Sequence, residues 1–224
     1  MNKILGYLAT INLAPKGETA LKLEDQFDFS CACVACGSGA IQKAPLTMRS
    51  SDLRSSDIRQ TYESDYIVTE YFRDDLASLG TSYDCFRPII NKVSGMEMHT
   101  HAQMYSPLQL PEMSPESSGI TVDDYSSSKQ CSLCKRDNHF DMPDADPEYV
   151  YSGLDHEFLN QFADYKIAST YELFGISIRY PKSPPEVPYA QGTGLARARL
   201  VFHSDLLPTL KRSSKHSIFP VYYD

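Results

Sequence analysis

Two stretches of this chain, 65–90 (DYIVTEYFRDDLASLGTSYDCFRPII) and 197–223 (RARLVFHSDLLPTLKRSSKHSIFPVYY), run through the same order of parts. Each opens on an apolar strand, at 66–69 in one and 200–203 in the other. Each passes through a polar start into an amphipathic helix, carried by Leu76 and Leu79 in the first and by Leu206, Leu207 and Leu210 in the second. Each ends in a strand that sets an aromatic residue beside proline: Phe86-Arg87-Pro88 and Phe219-Pro220. A strand–helix–strand unit cannot bury its helix by itself, so the two copies must pack on each other or on a shared sheet. The expected class is α+β, with two related strand–helix–strand units on mixed sheets.

The remaining segments fit around these units. Residues 1–13 read as a strand, with Ile4, Tyr7, Leu8 and Ile11 loosely apolar, and 14–30 as a polar connection. Ser residues ahead of Asp and apolar positions in 45–60 predict a short capped helix or turn. The alternation in 92–110 predicts a strand or hairpin arm, and 114–128 a loop. Leu154, Phe158, Leu159 and Phe162 fall at helical spacing within 153–164. The Pro- and Gly-rich run 180–194 predicts an exposed loop before the second unit. The organisation expected is an N-terminal half (1–113), a linker (114–148) and a C-terminal half (149–224), forming one compact domain or two tightly packed ones.

Composition excludes several classes. Fifteen Tyr and ten Phe argue against a disordered chain. A formal charge of −8 disfavours a nucleic-acid binder and suits a basic protein partner, whose opposite field speeds encounter. No run approaches the roughly 18 apolar residues that span a bilayer. The N-terminal MNKILGYLATINLAPKG, broken by Gly6, Thr10 and Asn12, makes a poor signal peptide. The expected location is the cytoplasm, where disulfides are rare.

The six cysteines then need another explanation. Cys33 and Cys36 form a C-x-x-C followed by Gly37, and Cys131 and Cys134 form a second. Two such pairs supply the ligands of a four-sulfur structural zinc site: two intervening residues let both thiolates meet one ion while turn amides donate to sulfur. A thioredoxin-like pair would open a helix, and Gly-Ser-Gly after Cys36 is a poor first turn. The pairs stand 94 residues apart. Closing so long a loop costs about 4–5 kcal/mol, which a zinc tetrathiolate worth about 10–16 kcal/mol offsets. The expected metal set is Cys33, Cys36, Cys131 and Cys134, with Cys31 or His139 as substitute ligands. Cys31 reads equally as a small core residue, and Cys85 falls in the final strand of the first unit beside an apolar neighbour, where no motif supports a thiol nucleophile.

Glu97, His99, His101 and Gln103 alternate along one predicted strand, and two histidines so placed can hold a metal, although a solvated strand face explains them as well. No phosphate loop, zinc-protease helix or nucleophile elbow is present, so no catalytic residue is assigned.

The order of parts, CVACG, a strand–helix–strand unit, a second C-x-x-C and a second such unit, resembles the double-CXXCG proteins of bacterial polymorphic toxin systems. CVACG matches the family's first motif. In CSLCKR, Lys135 stands where the family has Gly, and a cation there helps neutralise a doubly negative zinc tetrathiolate. FADYKIASTYELFG is similar to the family's aspartate-containing helix-to-strand segment. The resemblance implies an immunity protein that is not an enzyme and that covers a cognate toxin, for which a basic nuclease would match the acidic charge. Two rival classes compete: an enzyme with an unrecognised site on the exposed loops, for which His99 and His101 are the best candidates, and a zinc-ribbon scaffold or nucleic-acid module. The basic cluster of the latter is thin here, with Lys129, Lys135 and Arg136 at the second knuckle and Lys43 near the first. Asp123, Asp124, Asp141, Asp144 and Asp146 are acidic contact candidates.

Overall fold

The computed structural model describes residues 3–11, 27–30, 41–53, 56–61, 65–111, 114, 148–173, 196–213 and 217–224. The strands are β1 (Lys3–Thr10), β2 (Phe27–Asp28), β3 (Ile41–Gln42), β4 (Leu46–Met48), β5 (Ile58–Gln60), β6 (Tyr66–Thr69), β7 (Phe86–Asn91), β8 (Glu97–Met104), β9 (Tyr149–Tyr151), β10 (Ile167–Leu173), β11 (Ala196–Phe202) and β12 (Ser217–Tyr223). The helices are α1 (Glu70–Ser78), α2 (His156–Tyr165) and α3 (Leu207–Ser213). Among the described residues, the strands form two five-stranded mixed sheets and the β2–β3 ribbon, and no helix is long and apolar enough to cross a membrane.

The first sheet has the order β4-β7-β8-β6-β5 and the second β9-β12-β1-β11-β10. Read side by side, they are the same sheet twice. In each, two strands joined through a helix (β6–α1–β7; β11–α3–β12) flank a central strand antiparallel to both. In each, the outer neighbour of the second strand is parallel, and that of the first antiparallel. The match extends to single residues. The row Ile58–Val68–Ala102–Pro88 in one sheet corresponds to Ile167–Phe202–Tyr7–Pro220 in the other. One step on, Leu46 pairs with Ile89, and Tyr149 with Val221. In both units the proline lies one residue before the parallel outer strand begins to pair, where its missing N–H leaves no ladder bond unmade.

The repeat expected at 65–90 and 197–223 is thus present as two strand–helix–strand units on mixed sheets. What the repeat did not announce is the central strand of the second sheet. In the first unit that place is taken by β8, joined to β7 by a tight turn; in the second it is taken by β1. Gly6 of β1 lies where a Cβ would come 2.5 Å from the Phe202 carbonyl oxygen, so only glycine fits this close strand pairing.

Helix starts follow local capping. The Thr69 hydroxyl accepts from the Phe72 amide at 3.2 Å, and the Asp155 carboxylate from the Phe158 amide at 2.8 Å. The imidazole of His203 accepts from the Asp205 amide ahead of the short 3-10 turn that leads into α3. α1 stops at Gly80, whose φ of +93° is open to glycine without strain. Residues 45–60, expected to form a capped helix or turn, contain a 3-10 turn at Ser50–Asp52 between the strands β4 and β5, which are three residues each and too short to set a visible alternation.

Both units feed one core. Ile58, Tyr66, Val68, Phe72, Leu76 and Met104 of the first meet Ile167, Leu200, Phe202, Leu206 and Leu210 of the second, together with Ala9 and Ile11 of the N-terminal strand. The Tyr66 ring meets Phe202 edge-on at 6.3 Å, and its hydroxyl accepts from the Leu200 amide at 3.3 Å. Equivalent helix positions, Phe72 with Leu206 and Leu76 with Leu210, are buried in this cluster. On the far side of the second sheet a separate cluster gathers Leu5, Leu8, Tyr149, Val201 and Val221 against Phe158, Leu159 and Phe162 of α2. After β8 the chain crosses to the second sheet: Leu108 accepts from the Ser169 amide and Leu110 donates to the Ser169 carbonyl, both at 2.8 Å.

Candidate functional site

The best-developed polar constellation lies where the β2–β3 ribbon meets the first sheet. Phe27 pairs with Gln42 and Asp28 with Ile41, so the segment holding Cys31, Cys33 and Cys36 connects two paired strands. Its entry is turned by Asp28, whose carboxylate accepts from the Ser30 amide at 2.9 Å. That hydrogen bond holds the exposed Asp28 carboxyl below its usual range. At the exit, Gln42 is clamped. Gln42 and Gln103 of β8 exchange side-chain hydrogen bonds at 2.8 and 3.1 Å. Gln103 Nε2 also donates to Asp65 Oδ1 at 3.0 Å, and the Thr61 hydroxyl donates to Asp65 Oδ2 at 3.3 Å. Arg87 of β7 donates to the Gln42 carbonyl at 3.1 Å while its guanidinium stacks 3.6 Å from the centre of the Tyr105 ring.

Gln103 is 3 % exposed. The Gln42 and Gln103 amides and the Asp65 carboxylate thus form one hydrogen-bonded set around a buried glutamine, with Arg87 on the Gln42 main-chain carbonyl, which makes the seat of the ribbon specific and rigid. The sequence placed Gln103 in the alternating set with Glu97, His99 and His101, but it missed Gln42, Asp65, Arg87 and Tyr105. These are single polar residues far apart in the chain, and no local pattern marks them.

The four expected zinc ligands, Cys33, Cys36, Cys131 and Cys134, lie outside the described residues, as do Cys31, His139 and the acidic candidates Asp123, Asp124, Asp141, Asp144 and Asp146. Among the described residues no group of three or more His, Cys, Asp or Glu side chains gathers to hold a metal. His99 and Glu97 are exposed on β8. His101 is partly buried, with Nδ1 2.9 Å from the Thr100 hydroxyl and a buried Nε2 that has no hydrogen-bond partner. Cys85 is fully buried in the 3-10 turn ahead of β7, not within the strand where the sequence placed it. Burial, with Asp84 adding to it, pushes its thiol up to about 12, and Sγ points at the Tyr165 carbonyl at 3.8 Å. A thiol so protonated and enclosed is a packing residue, not a nucleophile.

A second polar cluster joins α2 to the 3-10 turn before α3. Lys166, left-handed at φ 62° after α2, donates from Nζ to Asp205 Oδ2 at 2.6 Å, and His203 Nδ1 lies 3.2 Å from the same oxygen. Lys166 chiefly, through its hydrogen bond, holds the Asp205 carboxyl low. His203 and His101 are both held below the ordinary imidazole value, burial being the larger cause in each, with Lys166 and Arg59 respectively adding to it.

These shifts have a signed consequence. A histidine whose folded pKa is depressed binds a proton more readily in the unfolded chain, so stability is full above the unfolded value of about 6.5 and falls as pH drops below it. The urea midpoint is expected to be lower at pH 5.5 than at pH 7.5. A chain carrying His101→Gln and His203→Asn, the latter keeping a capping side chain, should show a flatter profile between those pH values. An unchanged profile in that variant would assign the pH dependence to other groups.

Compared with known proteins, the chain matches no family model, no curated protein and no solved structure.

Proposed function

We propose that the chain is an immunity protein that binds a cognate bacterial toxin and neutralises it by covering its active site, with a structural zinc ion held by Cys33, Cys36, Cys131 and Cys134. The observation that carries this reading is the order of parts: a CVACG motif, a strand–helix–strand unit, a second C-x-x-C and a second unit of the same topology. That order resembles the double-CXXCG proteins. A duplicated, rigid mixed-sheet scaffold with a net charge of −8 suits occlusion of a basic partner. In this reading the protein does no chemistry and acts in the cytoplasm.

The donor set fits zinc: four thiolates in two pairs of equal spacing. The fold around each pair fits as well. The first pair lies between strands that pair at its base. The second is bracketed by Ser114 and Val150, whose amide and carbonyl are hydrogen bonded at 2.8 Å. The ion therefore joins two segments of 10 and 33 residues, 31–40 and 115–147, and need not close a 94-residue loop unaided. When bound, zinc supplies a crosslink between the two segments. Gln42, tied to Gln103 and Arg87, transmits that crosslink to the first sheet.

The test is co-expression with the C-terminal domain encoded by the gene directly upstream, with growth and complex formation as readouts. Growth arrest by the neighbour, relieved only when this chain is present and bound to it, is the expected result. Arrest without relief, or no toxicity, removes the immunity reading and leaves a zinc-ribbon scaffold or nucleic-acid module. Metal analysis of unchelated protein should give one zinc per chain, lost on changing Cys131 and Cys134 to Ser.

A further inference from the structure

The duplication supplies an internal control for what each helix is built to do. Thr69 and His203 cap equivalent positions, so 70–79 aligns with 204–213. The buried positions agree, Phe72 with Leu206 and Leu76 with Leu210. The exposed positions do not. Residues 70–79 carry Glu70, Asp74 and Asp75 against Arg73 alone, whereas 204–213 carry Asp205 against Lys211 and Arg212. Tyr71 stands 83 % exposed, and its counterpart Asp205 is held by Lys166 and His203. Leu79 is 39 % exposed, so Tyr71, Asp75 and Leu79 form a stripe at i, i+4 and i+8 along α1.

We propose that this exposed face of α1, centred on Tyr71 and rimmed by Asp74 and Asp75, is a docking surface for a basic protein partner. The inference rests on the immunity reading only for the identity of that partner; the surface follows from the helix. Phe72 and Leu76 hold α1 in the core, so the face is presented on a rigid element and little conformational freedom is lost on binding. A tyrosine ring almost wholly in water is a large amphipathic contact of the kind that anchors binding sites. The carboxylates around it are solvated, with side chains 52 % and 56 % exposed for Asp74 and Asp75, so they steer a cationic surface towards the ring. Arg73 offsets part of this charge through Asp74 at 2.9 Å, and Arg212 of α3 pairs with Asp75 at 2.8 Å. Both pairs are surface pairs that a partner's cation can replace at small cost.

The test has two arms. In the first, isotopically labelled protein is titrated with a short peptide alternating Arg and Leu, and amide shifts are followed. Changes should concentrate on 70–79, weaken at least about tenfold in Tyr71→Ala and in Asp74→Lys, and persist in a chain carrying Val93→Ser and Met96→Ser, two exposed residues on the β7–β8 turn. Shifts centred elsewhere, or indifferent to the α1 variants, overturn the proposal. Thermal midpoints of the variants should match the parent, since the replaced side chains lie in water. In the second arm the same variants are measured against the upstream toxin domain. Undiminished binding by both α1 variants overturns the surface while the immunity reading stands. Absence of any complex overturns the immunity reading, and the peptide arm alone then decides the surface.

Discussion

Removal of residues 1–11 is expected to abolish cooperative folding of the second sheet. These residues are not an appendage: β1 pairs with β11 on one side and with β12 on the other. Without it, the second strand–helix–strand unit is left with a gap where its central strand belongs. Leu5, Leu8, Ala9 and Ile11 are each 5 % exposed or less. Burial of two Leu and one Ile contributes about 4.5–9 kcal/mol at 1.5–3 kcal/mol each. That is comparable with the entire stability of a typical domain, about 5–15 kcal/mol. Far-UV dichroism and urea unfolding of a chain starting after Ile11 should show the loss. A synthetic peptide of residues 1–13 added in trans should restore part of it. A truncated chain that unfolds cooperatively at the parent's urea midpoint would contradict the role given to β1.

The second large effect is expected at Gln103. Through the paired sheets its counterpart is Leu8, since Ile67 pairs with Gln103 as Val201 pairs with Leu8. An apolar residue therefore suits this place in one sheet, and Gln103→Leu looks conservative by that comparison. The surroundings say otherwise. Leu8 lies in an apolar cluster with α2, whereas Gln103 holds the side chains of Gln42 and Asp65. Replacing it removes its hydrogen bonds to the Gln42 amide and the Asp65 carboxylate at a nearly buried position, and should cost about 2–3 kcal/mol. Chemical denaturation measures this directly. The chain carrying both Gln42→Leu and Gln103→Leu should recover part of the loss, and the non-additivity gives the strength of the pair. Stability of Gln103→Leu at or above the parent level would mean that the ribbon is not seated through this network.

Much of the architecture could be read before any coordinates. Leu76 and Leu210 at helical spacing, the short apolar strands before them and the prolines after them identified two related units, because these signals are local and repeat in order. The α2 helix was legible for the same reason: Phe158, Leu159 and Phe162 fall on one face of it, while Leu154, read with them, lies just ahead of its N-cap Asp155. β4 and β5 were not, since a three-residue strand is specified by its neighbours and not by its own pattern.

What the sequence by itself determined about this protein is the class and the repeat, each carried by signals that lie within a few positions of one another. What only the tertiary structure decided is which strands pair and which polar residues meet. β1 entered the far sheet, Gln42 met Gln103 across 61 positions, and Lys166 met Asp205 across 39. The physical reason is the same throughout. Helix periods, caps and metal-ligand spacings are short-range and leave a trace in consecutive residues. Strand partners and buried polar contacts are chosen by the burial and hydrogen bonding of the whole chain, and no short stretch encodes them.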